Sequence, residues 1–204
     1  MEKHIEIAKE LLNIQAVQIN PEHYFTWTSG IKSPIYCDNR LIMAYPELRQ
    51  KVVDAWIDQI RQMDIGPDVI AGCATAGIPH AAWLADKLNL PMVYVRSEAK
   101  KHGKGNQIEG LISEGQRVIL IEDLISTGKS SINAAKALEH AGANVIGVQA
   151  IFSYGLQSAQ DNFSKAPLTY QSITGFNALV DLLEKEGQID TKQKEALMDW
   201  QRTL

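Results

Sequence analysis

Cysteine is scarce: the chain holds two, Cys37 and Cys73, with no CxxC spacing. A disulfide framework or a thiolate metal site needs more, so both are read as reduced thiols in apolar surroundings. No apolar run approaches the ~20 residues that a membrane span requires. Nor does an apolar h-region follow the start Met1-Glu2-Lys3-His4, so no secretory leader is expected. Positive charge is not in excess, with 20 Lys+Arg against 24 Asp+Glu and a net charge of -4. That balance disfavours a non-specific nucleic-acid binder, although a local basic patch stays open. Gly at 14 and Pro at 7 are too few for a collagen-like or low-complexity chain. Internal repeats and domain linkers are also missing. What remains is the expectation of a soluble, cytoplasmic, globular protein, whose 204 residues suit one domain.

The hydrophobic pattern supplies the elements. Ile5, Ala8, Leu11 and Leu12 share a face and predict a helix over residues 2–17. Residues 25–38 alternate around Ser29-Gly30 and predict a hairpin or two short strands. Pro46 suits the first turn of a helix carrying Val52, Trp56 and Ile60 inward. Four short apolar runs follow, at 68–72, 91–95, 117–122 and 144–151, with helices expected at 79–88 and 129–140. Strands alternating with helices indicate an α/β fold, a mostly parallel sheet with helices on both faces. Residues 176–204 read as helical, with Asp190 or Thr191 capping the last helix.

Two segments stand apart. Residues 96–107 carry Arg96, Lys100, Lys101, His102 and Lys104 with two glycines and almost nothing apolar. They read either as a solvated charged hairpin or as a mobile cationic loop that meets an anionic substrate. The second is Glu122-Asp123-Leu124-Ile125-Ser126-Thr127-Gly128-Lys129-Ser130, which follows an apolar strand and opens a helix. Ligands of open parallel sheets bind at the carboxyl ends of strands. Uncapped N–H groups from Ser126 to Ser130 would cradle an anion, although an ordinary helix cap has the same composition. Carboxylates beside such a cradle repel a phosphate and make sense only facing hydroxyls, a cation or developing positive charge. Two commoner motifs fail. A Walker A loop needs Gly where Asp123 stands, and a dinucleotide fingerprint begun at Gly103-Lys104-Gly105 meets Ile108 where it needs Gly.

Residues 122–130 resemble the signature of the type I phosphoribosyltransferases, which bind 5-phosphoribosyl-1-pyrophosphate (PRPP). Three further stretches resemble orotate phosphoribosyltransferases in family order. Phe25-Thr26-Trp27-Thr28-Ser29-Gly30 with Ser33-Pro34-Ile35-Tyr36 looks like the hood, and Gly72-Cys73-Ala74-Thr75-Ala76-Gly77 like the pyrophosphate loop. Arg96-Ser97-Glu98-Ala99-Lys100-Lys101-His102-Gly103 looks like the catalytic loop. The resemblance implies one type I phosphoribosyltransferase domain, with a hood mainly at 1–45, a PRPP-binding core at about 46–175 and helices at 176–204. It implies transfer of phosphoribosyl from PRPP to orotate, giving orotidine 5'-monophosphate and pyrophosphate in pyrimidine (UMP) biosynthesis.

The same resemblance assigns residues. Lys100, His102 and Asp123 would be catalytic. Arg96, Lys100, His102, Glu122, Asp123, Leu124, Ile125, Ser126, Thr127, Gly128, Lys129 and Ser130 would bind PRPP, and Ser126 would also reach orotate, with Tyr36 near the base. Magnesium would arrive on the pyrophosphate, with no protein ligand of its own. The active unit would be a homodimer whose catalytic loop serves the neighbouring subunit. The family pattern is broken at Thr28, at Thr75-Ala76, and around Ser153-Tyr154-Gly155, where lysines and an orotate-binding arginine are expected. Backbone groups, Lys32 or Arg40 are left to substitute. A competing reading, a PRPP-sensing regulator that binds nucleic acid, would need a basic face or an added domain.

Overall fold

Helix α1 (Lys3–Asn13) buries Ile7, Ala8 and Leu11 on one face. It stops four residues short of the expected end. Gln15 takes a left-handed conformation at φ 59, its N–H donating to the Leu12 carbonyl at 2.9 Å, and this turns the chain out of the helix. Val17 and Ile19 then enter strand β1 (Val17–Ile19), which pairs antiparallel with a later strand, so the expected helix over 2–17 is corrected to helix, turn and strand. Strands β2 (Phe25–Thr26) and β3 (Lys32–Ser33) form the expected hairpin, and β4 (Ile35–Cys37) is the partner of β1. In the computed structural model the described residues are 3–27, 30–98 and 107–204.

A 3-10 helix (Asn39–Ala44) follows, capped by the Asp38 carboxylate, which accepts from the Arg40 N–H. Pro46 opens α2 (Pro46–Arg61), where a missing N–H costs no intrahelical bond. Then come β5 (Val69–Cys73), α3 (Gly77–Leu88), β6 (Met92–Val95), β7 (Ile108–Glu109), β8 (Arg117–Ile125) and α4 (Lys129–His140). The chain continues through β9 (Asn144–Ser153), α5 (Gln157–Lys165), β10 (Tyr170–Gly175), α6 (Phe176–Lys185) and α7 (Thr191–Arg202). Asp190 caps α7 in a reciprocal capping box with Gln193, as its sequence position suggested.

Six strands form the main sheet in the order β10-β9-β8-β5-β6-β7, all parallel except the edge pair β6–β7. Alternate residues of β8 feed two cores. Ile119 and Ile121 pack with α1, α2, α3, α6 and α7, while Val118 and Leu120 pack with α4 and α5. This is the expected α/β architecture with helices on both faces. Strand order reverses between β5 and β8: the chain proceeds from β5 to β6 on one side, then returns to place β8 on the other. The crevice outside the carboxyl ends of such a strand pair is where open sheets bind ligands.

Three further boundaries differ from the sequence reading. Strand β8 does not end at Glu122 but runs to Ile125, because β9 continues alongside it to Ser153 and supplies hydrogen-bond partners. Helix α3 begins at Gly77, two residues before Pro79, which the unpaired N–H groups of a first turn allow. The segment α5–β10 lacks a clear apolar periodicity yet forms a helix and an edge strand, held by Phe163, Ala159 and Ile173 in the cores.

Candidate active site

The two acidic residues are neighbours within β8, and their carboxyls lie close enough to hydrogen-bond to each other. Glu122 is buried. One carboxylate oxygen accepts from the Ser130 hydroxyl at 3.3 Å and the Ser131 hydroxyl at 3.2 Å, and the other accepts from the Asp123 N–H at 3.1 Å. Glu122 thus ties the first turn of α4 to the strand. Asp123 is half-buried and faces the hood. The buried Asn39 amide donates to its main-chain carbonyl at 2.7 Å. The fields of Cys37, Tyr154 and Arg40 all register the Asp123 charge, which places these groups around one cleft.

Burial pushes the Glu122 carboxyl up, and the neighbouring Asp123 charge pushes it further, against a lowering bond from Cys73. Burial also raises Asp123, with Arg40 among the groups opposing it. A carboxyl raised in the folded state holds its proton more tightly there than in the unfolded chain. The stability it contributes is therefore complete below its ordinary value near 4.5 and is lost as pH climbs through the raised one. Glu122→Gln imitates the protonated form. Calorimetric scans should show the Tm of this variant gaining on wild type between about pH 5 and about pH 8. A difference that stays constant across that range would mean that Glu122 does not ionise there.

The turn after β8 leaves backbone donors at the start of α4 without a side-chain cap. Gly128 is the N-cap of α4 at φ 74 and offers no side-chain cap, so the N–H groups of the first turn have no acceptor within the helix. The macrodipole adds positive potential at that point. Helix α5 braces this turn from behind: the Asn162 amide donates to the Thr127 carbonyl at 2.9 Å, and a Cβ on Gly128 would stand 2.4 Å from the Phe163 ring. Nothing in the local sequence signals this support. On the other side, the turn after β5 packs tightly, since a Cβ on Gly77 would meet the Ile121 carbonyl oxygen at 2.5 Å. The Ala74–Thr75 peptide in that turn is cis.

Between the hood and the turn lies a cleft of about 500 Å³, lined among others by Thr26, Trp27, Tyr36, Cys37, Leu124, Ser126, Thr127 and Tyr154. Its walls are aromatic. The Trp27 ring stacks on Tyr154 at 4.8 Å and 16°. Of the residues expected to bind PRPP, Leu124, Ser126 and Thr127 line this cleft, Asp123 and Gly128 adjoin them in the chain, and Lys129 and Ser130 are exposed on the first turn of α4. The Ile125 side chain is in the core and its carbonyl accepts from the Tyr154 N–H, which leaves it only a backbone role. Arg96 follows β6, with its guanidinium 3.5 Å from Glu109. Lys100 and His102 lie outside the described residues, as do Thr28, Lys101 and Lys104. Lys32 donates to Thr26 at 2.7 Å, and Arg40 makes a two-pronged ion pair with Asp38 at 2.6 and 2.8 Å. Trp27, Tyr154, Asn39, Asn162 and Phe163 were given no role from sequence. Each acts through a partner distant along the chain, so no local pattern marks it.

The Phosphoribosyl transferase domain profile matches residues 44–185. An orotate phosphoribosyltransferase from Oceanobacillus iheyensis is 58% identical over 199 residues, covering 98% of this chain and 98% of that protein. One from Staphylococcus aureus is 52% identical over 199 residues, with 98% of each chain covered. Among solved structures, the orotate phosphoribosyltransferase from Aeropyrum pernix superposes with a TM-score of 0.76 at 28% identity, over 90% of this chain and 99% of that one. With the strand-end acid, the uncapped helix and the aromatic cleft in one crevice, and with near-full-length relatives above half identity, the chain belongs to the orotate phosphoribosyltransferase family.

Proposed function

We propose that this crevice transfers the 5-phosphoribosyl group of PRPP to N1 of orotate, forming orotidine 5'-monophosphate and releasing pyrophosphate. The observation that carries this reading is the joining of two unlike half-sites in one cleft: the uncapped start of α4, suited to a 5'-phosphate, and the flat aromatic wall of Trp27, Tyr36 and Tyr154, suited to a base. Asp123 stands on β8 next to Leu124, which lines the cleft, and its charge acts on Cys37 and Tyr154. When the C1–pyrophosphate bond lengthens, positive charge grows on the anomeric carbon and ring oxygen, and a carboxylate already in place stabilises it without reorganising. Ser126 and Thr127 line the cleft where the 5'-phosphate and the base edge would meet. An enzyme suits this chain better than a nucleic-acid-binding regulator, because 20 Lys+Arg against 24 Asp+Glu leave no excess of positive charge for such a partner.

Magnesium fits as a passenger on the pyrophosphate. The Glu122 oxygens already accept from Ser130, Ser131 and the Asp123 N–H. Asp123 is the carboxylate at the cleft that could face such an ion. Bound there, magnesium would neutralise the leaving group. Lys100, His102 and Arg96 would supply further positive charge to the pyrophosphate, with Lys100 and His102 coming from the neighbouring subunit of a homodimer. No described helix is long and apolar enough to cross a membrane, and the proposed site of action is the cytoplasm.

A spectrophotometric assay with PRPP, magnesium and orotate, and with hypoxanthine, adenine and uracil as rivals, tests the reaction. Turnover of orotate alone supports it, and turnover of a purine base in its place would overturn it. Loop sharing has its own test. Lys100→Ala and Asp123→Ala should each inactivate the homodimer. After verified subunit exchange the mixture should recover up to about a quarter of wild-type activity, because half of the dimers are mixed and each has one intact site of two. No recovery would confine Lys100 to its own subunit.

A further inference from the structure

The family profile covers residues 44–185, so both the hood hairpin β2–β3 and helix α7 lie outside the part of the chain shared with phosphoribosyl transferases in general. These two elements meet over the base side of the cleft. The hairpin is minimal. Its ladder is two residue pairs, Phe25 with Ser33 and Thr26 with Lys32, and it is not joined to the main sheet. An isolated two-stranded hairpin is marginal in water, so its position has to be set by whatever packs against it.

Helix α7 supplies that packing through two consecutive residues. The Trp200 indole N–H donates to the Lys32 carbonyl at 3.0 Å, and its ring stands edge-on to Trp27 at 6.0 Å and 88°. Next to it, the buried Gln201 amide donates to the Tyr154 carbonyl at 2.7 Å. Trp27 and Tyr154 are the stacked pair that walls the cleft, and the Trp27 indole N–H is itself anchored on the Ile35 carbonyl at 3.0 Å. One turn of α7 therefore grips both halves of the aromatic wall, the hood half through Trp200 and the β9 half through Gln201. Trp200 also leans on Phe176 at 5.6 Å, which fixes its own position against α6.

We propose that α7 is the latch of the base pocket, and that Trp200 is a positioning residue that sets where Trp27 stands relative to Tyr154 and so how the pyrimidine is held. This rests on the orotate transfer reading above. The phosphate half of the cleft is braced separately, by α5 behind the Gly128 turn. Loosening the latch should therefore be felt by the base and not by PRPP.

The test is steady-state kinetics on wild type, Trp200→Phe and Trp200→Leu, with both substrates varied. Trp200→Phe keeps the contact with Phe176 and removes the N–H donor. Its kcat/KM for orotate should fall about tenfold, with KM for PRPP unchanged within about twofold, since a hydrogen bond of this kind is worth roughly that factor. Trp200→Leu should lose more on the orotate side while still sparing PRPP. A residue that served only the fold would lower the active fraction, reducing kcat without separating the two KM values. If Trp200→Leu does not fold, Trp200→Phe and Gln201→Met, which removes the amide that holds Tyr154, carry the comparison. Folded variants whose KM for orotate stays at the wild-type value, or rises in step with KM for PRPP, would overturn the latch. Wild type that leaves orotate untouched would instead overturn the transfer reading, so the two failures are distinguishable.

Discussion

Replacing Asp123 by Asn should remove most of the turnover and leave the fold in place. The substitution keeps the size of a half-buried side chain, and the bond that secures this stretch of β8 runs from Asn39 to the Asp123 main-chain carbonyl, which the change does not touch. It even relieves a repulsion, because the Asp123 charge is one of the causes that raise Glu122. Thermal unfolding should accordingly shift little. Catalysis should suffer, since the neutral amide cannot offset the charge that builds at the anomeric carbon. The expected loss is about 10²-fold or more in kcat, by comparison with other preorganised electrostatic stabilisers. Saturating both substrates separates the roles of this residue. A variant with wild-type kcat and a raised KM for PRPP would show that Asp123 merely binds the ribose.

The second large effect is expected at Gly128, where conformation and space forbid a side chain together. At φ 74 an L-residue is strained by roughly 1–2 kcal/mol. A Cβ would also stand 2.4 Å from the Cε2 atom of Phe163, whose ring is buried and packed against Tyr170 at 4.3 Å. Overpacking of this kind adds about 1–3 kcal/mol. Gly128→Ala should therefore lower the Tm by about 5–15 °C in a domain of this size. If the turn lifts instead of the ring, its N–H groups move off the 5'-phosphate and KM for PRPP should rise about tenfold or more. Adding Phe163→Leu relieves the collision and leaves the left-handed conformation. The double variant should recover part of the lost stability. Equal melting of the single and double variants would locate the whole penalty in the backbone.

These expectations divide by how far apart the interacting residues stand along the chain. The strand–helix alternation of β5–α3–β6 and β8–α4–β9 was legible because burial on a sheet selects Val and Ile runs, and an amphipathic helix selects its own period. The Asp190 cap was legible for the same reason: it is satisfied by Gln193, three residues away. So was the Ser-Thr-Gly turn into α4, since a helix start and the residue that uncaps it are adjacent.

Tertiary structure decided what adjacency cannot carry. Residues 14–19 leave α1 because β4, far along the chain, offers Val17 and Ile19 a partner. Glu122 and Asp123 read as a strand end, yet β9 extends the strand past them to Ile125, and the serines of α4 engage Glu122 alone of the pair. The Gly128 turn owes its brace to Asn162 and Phe163, and the aromatic wall owes its closure to Trp200 and Gln201. In these last two cases a side chain or carbonyl is satisfied by a group 35 or more residues away. By itself, the sequence determined the α/β class and the alternation of strands and helices from β5 to β9, because local burial and local capping are written in neighbouring residues. Only the tertiary structure decided how far β8 runs past the acids, what braces the Gly128 turn and what packs on the aromatic wall, because those follow from contacts whose partners share no local pattern.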